Sequence, residues 1–273
     1  MGLRVNTNIA SMGAQRNLAN VTNRLQGNFA RLSSGLRIAS ASDDAAGLGI
    51  SEKMRSQIRS FGVAGRNAND GLSMSQTAEG ALGEVGNILG RMRELAMQSS
   101  NGTLASADRA TIQAEVLALE DEITRIADET SFNGVNILDG TAGSVNIQVG
   151  LNSGEVIALD MTDNTDATAL GINALDVDDA TNAVAALDKL DTAIGSINTI
   201  RGAHGASQNR LQSSIRSIAT VRENLSGAES RIRDVDIAFE TADMTRNSIL
   251  QQAATSILSQ ANSQPQLALS LLG

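Results

Sequence analysis

Only a few side chains in this sequence stand where chemistry could happen. Asp43 and Asp44 are adjacent carboxylates, the residue type that acid–base hydrolysis uses in pairs. Successive helical residues point about 100° apart, so two neighbours cannot face one substrate. The same residues, with Ser42, read instead as a helix cap. Their side-chain oxygens can accept from backbone N–H groups that have no helical partner, and acids suit the positive end of a helix dipole. His204 is the only histidine. A metal site there would need carboxylates alone beyond it, and no H-E-x-x-H run exists, so the spacing predicts a histidine on a helix surface. Gly47-Leu-Gly49 followed by Lys53 lacks the spacing and the preceding strand of a phosphate loop. Cysteine is absent, which removes thiolate and disulfide chemistry. The expectation is a chain with no catalytic residues, no metal and no cofactor.

The elements that carry these residues are long helices. Apolar residues make up 41% of the 273, but aromatics only 1%, namely Phe29, Phe61, Phe132 and Phe239. Leu, Ile, Val and Ala must therefore form the buried surface, which suits narrow helical seams better than a wide globular centre. Pro265 is the single proline, so almost nothing interrupts a helix before it. Ser11, Ala14, Leu18, Val21, Leu25, Asn28 and Leu32 sit at heptad a and d spacing and end at Gly35. A second helix runs from Asp44 to about Ser100 on Met54, Ile58, Phe61, Ala68 and Leu72. Its stripe then drifts to Ala78, Ala81, Val85, Ile88, Met92 and Leu95, as a straight helix does against a seven-residue repeat. Asn101-Gly102 stops it. Ser106 caps a third helix carrying Ile112, Val116, Leu119, Ile123 and Ile126.

The period then changes to two. Val145–Val149 and Val156–Met161 around Asn152-Ser153-Gly154 predict a β-hairpin over about 140–161. Residues 162–177 read as a short, solvated acidic loop. Helix returns near Asp178 and is expected to run unbroken through Leu187, Leu190, Ile194, Ile197, Leu211, Ile215, Ile218, Leu225 and Ile232 to Phe239. Gly202 and Gly205 weaken it by about 1 kcal/mol each. A last stripe of Leu250, Ala254, Ile257 and Ala261 ends at Pro265, before an apolar tail of Leu267, Leu269, Leu271 and Leu272. The expected fold class is mainly α: long antiparallel helices in a coiled-coil-like bundle with a small β-hairpin. The natural closure pairs the N- and C-terminal helices.

The net charge of −9 is uneven. Residues 1–60 carry eight bases and three acids; residues 141–200 carry one base and nine acids. A basic start is one mark of nucleic-acid binding. Here the arginines are dispersed and lack interleaved aromatics, so a nucleic-acid-binding coiled coil is the lesser alternative. No run approaches the ~18 apolar residues of a membrane span. The opening MGLRVNTNIASMGAQ has no apolar core of a secretory signal, so any export is expected without a cleaved signal peptide.

One resemblance covers nearly the whole chain. Val5-Asn-Thr-Asn8, Ala14-Gln-Arg-Asn-Leu18, Arg31–Arg59, Arg91-Met-Arg-Glu-Leu-Ala-Met-Gln98 and Phe132–Leu138 resemble the N-terminal half of bacterial flagellins. Ser230-Arg-Ile-Arg-Asp-Val-Asp236, Ile249-Leu-Gln-Gln-Ala253 and Leu269-Ser-Leu-Leu272 are similar to the C-terminal half. The resemblance implies a secreted structural subunit that assembles helically into the flagellar filament for motility. A hook–filament junction protein of the same family is the alternative. It implies a terminal filament-core domain of residues 1–43 and 236–273, and a rod-like domain of 44–235 without outer variable domains. Its implied partners are other copies, an export chaperone at the tail of Leu267, Leu269, Leu271 and Leu272, filament-cap and hook-junction proteins, and a Toll-like receptor. The receptor would read Arg91, Leu95 and Glu115.

Overall fold

A computed structural model describes residues 7–270, with side chains through Gln264. Its elements are α1 (Ile9–Ser34), α2 (Ala45–Ser99), α3 (Ser106–Glu129), β1 (Ser131–Phe132), β2 (Val135–Asn136), β3 (Gly143–Gln148), β4 (Val156–Met161), α4 (Ala180–Arg233) and α5 (Ile237–Ser270). The mainly helical class follows from the sequence as expected. Contacts gather the chain into two compact units. One holds the residues to Ile58 together with those from Asn224, and the other holds Arg59–Glu223.

In the first unit α1 and α5 pair antiparallel. Ser11 Oγ donates to Asn262 Oδ1 at 2.7 Å near one end, and Asn28 Nδ2 donates to Glu240 Oε1 at 2.6 Å near the other. The seam between them is small and polar. Ser11, Ala14 and Asn28 are buried on α1; Glu240, Asn247, Ala254 and Ala261, spaced by seven, are buried on α5. The expected α5 stripe therefore splits. Ala254 and Ala261 turn inward, while Leu250 and Ile257 face solvent at 45% and 58% exposure. The helix also continues past Pro265, where the sequence predicted its end. A proline leaves the carbonyl four residues earlier without its helical donor. That carbonyl belongs to Ala261, and Asn8 Nδ2 donates to it at 2.7 Å.

The connectors to these helices are clipped together. Gly35, at φ 71°, ends α1 by donating to the Arg31 carbonyl. Its own carbonyl accepts from Val235 N at 3.0 Å, and Arg37 N donates to Arg233 O at 2.7 Å. Here the single helix expected from Asp178 to Phe239 breaks. Asp236 Oδ1 accepts from Ala238 N and Phe239 N, so it caps a new helix. The break rotates Phe239 out of the stripe, and it is 66% exposed.

In the second unit α2, α3 and α4 enclose a continuous apolar core. Leu82, Leu89 and Met92 from α2, Ile123 from α3, and Leu190 from α4 are fully buried. Each such side chain stabilises the fold by roughly 1.5–3 kcal/mol relative to exposure. Ile157, Leu159 and Met161 alternate inward along β4. Gly71 lets the β3–β4 hairpin close on α2, because a Cβ there would stand 2.8 Å from Ile147 Cγ1. A smaller hairpin, β1–β2, turns on Asn133 (φ 52°) and Gly134 (φ 80°). Positive φ at both turn residues is what a type I′ hairpin requires.

The stretch 162–177 is a loop whose acids Asp163 and Asp176 are exposed as expected, but whose apolar side is not. Thr165, Ala167, Leu170, Ile172, Leu175 and Val177 are buried. Side chains hold its backbone in place of a sheet. Glu120 Oε1 accepts from Ala174 N at 2.8 Å; Gln113 donates to Leu175 O at 2.7 Å and accepts from Val177 N at 2.6 Å.

Candidate functional site

The adjacent acids Asp43 and Asp44 serve two different turns. Asp44 Oδ1 accepts from Gly47 N at 2.9 Å, three residues into the next turn, and so caps α2. A Cβ at Gly47 would collide with that carboxylate, at 2.5 Å from Oδ2, which accounts for a glycine in the first turn. Asp43 Oδ2 folds the other way and accepts from Ala39 N, Ser40 N and Ser40 Oγ at 3.0–3.2 Å. Those donors hold its carboxyl below the usual carboxylate range. Ser42 Oγ meets Ser40 Oγ at 2.7 Å and does not cap the helix. The two carboxylates are thus engaged by backbone donors of different turns.

Ser106 is likewise not a cap but the first residue of α3. Asp108 Oδ2 accepts from Ala105 N at 3.4 Å instead. The α2–α3 turn is fixed by a residue that spacing did not single out. Arg109 donates from Nε to Ser99 O and from Nη2 to Asn101 O, both at 2.9 Å. A cation on the last carbonyls of a helix is favoured by its dipole. Its signal in the sequence was an arginine one turn into the returning helix.

That turn sets α3 antiparallel to α2 and brings Arg91 to Glu115. Arg91 Nη2 lies 2.9 Å from Glu115 Oε1, Nε lies 3.1 Å from the same oxygen, and Nη1 reaches Glu94 Oε2 at 3.2 Å. Glu115 above all, then Glu94, makes the guanidinium hold its proton more tightly. Arg91 and Glu115 are both about half exposed. Leu95 does not join them on the surface. It is 2% exposed and belongs to the core; position 95 is turned about 40° from position 91 around the helix.

His204 is buried, at 4% exposure, not on a helix surface as the spacing predicted. Burial pushes its pKa down, against the pull of Glu79, Asp160 and Asp163. Glu79 Oε1 pairs with Arg201 Nη2 at 2.8 Å, while its buried Oε2 and the neighbouring Ser75 Oγ have no partner among the described residues. Among those residues no group of three potential ligands could hold a metal ion, and no helix is long and apolar enough to cross a membrane. Asn20, Asn101 and Asn224, each the first residue of an Asn-x-Ser/Thr triplet, are all exposed. Of the tail, Leu271 and Leu272 lie outside the described residues, as do the side chains of Leu267 and Leu269.

The terminal pair carries many exposed large apolar residues. Ile9, Met12, Phe29, Ile237, Phe239, Ile249, Leu250 and Ile257 are all exposed, between 45% and 66%. α1 and α5 thus fully bury alanine, serine, asparagine and Glu240 between them, hold Leu18, Val21, Leu25 and Leu32 half-buried, and leave Ile9, Phe29, Ile237, Phe239, Ile249 and Ile257 outside. Exposed apolar surface of this extent marks an interaction site.

Two family models match the chain: the bacterial flagellin N-terminal helical region over residues 5–143, and the bacterial flagellin C-terminal helical region over residues 187–272. A flagellin of Halalkalibacterium halodurans is 50% identical over 270 residues, covering 98% of this chain and 99% of that protein. A flagellin of Bacillus subtilis is 44% identical, covering 99% and 100%. Among solved structures, the crystal structure of Bacillus cereus flagellin has a TM-score of 0.51 and 37% identity, covering 56% of this chain and 88% of that one. A flagellar hook-associated protein from Vibrio parahaemolyticus has a TM-score of 0.57 at 17% identity, covering 70% of this chain, and speaks to the fold alone.

Proposed function

This chain belongs to the bacterial flagellin family and is a structural subunit of the flagellar filament; we propose that it acts there through its surfaces alone, as a non-enzymatic building block. The observation that carries this reading is the inverted α1–α5 pair. Its large apolar residues point outward, with Phe239 and Ile249 more than 60% exposed. A second copy can cover them, and repeated unlike contacts that do not close generate an open filament. We assign residues 1–43 and 236–273 to the filament core and 44–235 to a surrounding rod-like domain. The subunit is then extracellular.

Several partners follow from the same reading. Leu267, Leu269, Leu271 and Leu272 form the surface that an export chaperone covers before assembly. Filament-cap and hook-junction proteins meet the terminal helices. A Toll-like receptor reads the exposed Arg91 and Glu115, with Leu95 acting from beneath by fixing α2. A hook–filament junction role is the second reading, but 50% identity to a flagellin over nearly the full length favours the filament.

Electron microscopy of the concentrated chain tests the proposal. Filaments are expected from the whole chain, and none from a chain lacking Gln260–Gly273 whose Arg59–Glu223 unit still melts cooperatively. Normal filaments from the truncated chain would refute the role of the tail. A folded full-length chain that never polymerises would refute the filament core.

A further inference from the structure

A groove of about 560 Å³ lies between α1 and α5. Arg24 and Arg31 line it from α1, one heptad apart and so on one face, and Arg246 lines it from α5. The acids around it do not balance these charges. Arg246 pairs with Asp243 at 2.6 Å. Arg31 stands 3.8 Å from Glu240 Oε1, an oxygen already taken by the Asn28 amide at 2.6 Å. Arg24 forms no ion pair among the described residues. Gly27 also lines the groove, and the space beside it is open, since a Cβ there would meet nothing within 4 Å. Leu250 lies on the rim, 45% exposed.

We propose that this groove receives a carboxylate side chain from a second copy of the chain. Guanidinium forks match a carboxylate in shape as well as charge. An exposed leucine beside them suits a protein neighbour, whose apolar atoms it can cover, better than a free ion. The chain itself supplies the partner. Residues to Ile58 and from Asn224 carry ten bases and eight acids, whereas Arg59–Glu223 carries eleven bases and 22 acids. A basic groove on one copy and an acidic surface on the next make a heterologous contact, which can repeat without closing.

The inference rests on the filament reading, and the experiment separates the two. Critical concentrations for polymerisation are measured for the full chain, Arg24→Glu, Arg24→Gln and Arg16→Glu. Arg16 is exposed on the same helix and does not line the groove. Arg24→Glu is expected to raise the critical concentration about tenfold or more, and Arg24→Gln less. Arg16→Glu, in the same core helix but outside the groove, should raise it clearly less than Arg24→Glu. Circular dichroism checks that all four chains keep the same helical content. Equal assembly by Arg24→Glu and the unsubstituted chain overturns the proposal, as does an equal loss in Arg16→Glu. Inorganic phosphate is titrated into the monomer in parallel. Saturable binding that Arg24→Glu abolishes without affecting assembly assigns the groove to a free anion and also overturns it. If the unsubstituted chain does not polymerise, the filament reading fails, and this proposal with it.

Discussion

Arg233 ends α4 and places Nη1 2.6 Å from Glu52 Oε1 in α2. The two partners are unequally buried. The arginine side chain is 11% exposed, with a buried Nε that has no partner among the described residues, and the glutamate is 48% exposed. Removing the outer partner strands a charge; removing the inner one releases a carboxylate to water.

Glu52→Ala should therefore lower the melting temperature more than Arg233→Met, although the same ion pair is lost. Hydrogen bonds from Arg233 first, and then Arg55, hold the Glu52 carboxyl below its usual 4.5. Its contribution is complete above about 4.5 and is lost as pH falls through the lower folded-state value. Thermal melts of the two variants decide this, and an equal or reversed order would count against the burial argument.

His204 sets a second, separate pH window. The unfolded histidine titrates near 6.5 and the buried one lower. Above 6.5 both states are neutral. As pH falls through 6.5 the unfolded chain takes the proton first, so stability declines until the folded-state pKa is passed. His204→Gln should flatten the dependence of melting temperature on pH between about 7.5 and 5.5, a range above the carboxylates. An unchanged slope would mean that the imidazole is solvated.

Gly71→Ala should destabilise the Arg59–Glu223 unit by about 1–3 kcal/mol through crowding, despite alanine's better helix propensity. The clash is with Ile147. In an Ile147→Ala background the same change should cost much less, since the two positions share one contact. Additive costs in denaturant melts would place the problem in the helix rather than in the hairpin.

Arg91→Ala should leave the fold intact, because a half-exposed ion pair contributes little to stability. It should weaken receptor activation and filament formation together, if one guanidinium serves both contacts. A loss of activation with normal filaments would separate the two surfaces.

Much of this was legible in the sequence, and the errors have physical causes. The helices, the β3–β4 hairpin and the α1 seam follow from spacing, capping and turn chemistry. Phe239 was assigned to a stripe because 3–4 spacing continues through it, yet Asp236 directly before Ile237 is itself a cap signal that resets the phase. The resemblance groups Leu95 with Arg91 and Glu115, but the apolar stripe already places Leu95 in the seam, where it is buried, and Arg91 falls on the other side of that helix face's rim. His204 lies among small and polar neighbours in sequence and is buried from outside its helix, which periodicity within one helix cannot register. Residues 162–177 read as solvent-facing because of their acids. Their apolar residues recur every two or three positions instead, and Gln113 and Glu120 of α3 supply the hydrogen bonds that a sheet would have supplied.

The inverted seam of α1 and α5 bears on how fast assembly begins as well as on what it builds. A pair held by Ala14, Asn28, Asn247 and Ala254 gains little from its own contact. Most of the apolar surface that would offset its ordering entropy points away. Two copies that collide in solution can cover only part of it, and each loses its freedom of motion in doing so. A copy arriving at an existing end meets several neighbours at once. Nucleation is then expected to be slow and elongation fast, with a lag in the polymerisation time course that added filament fragments remove.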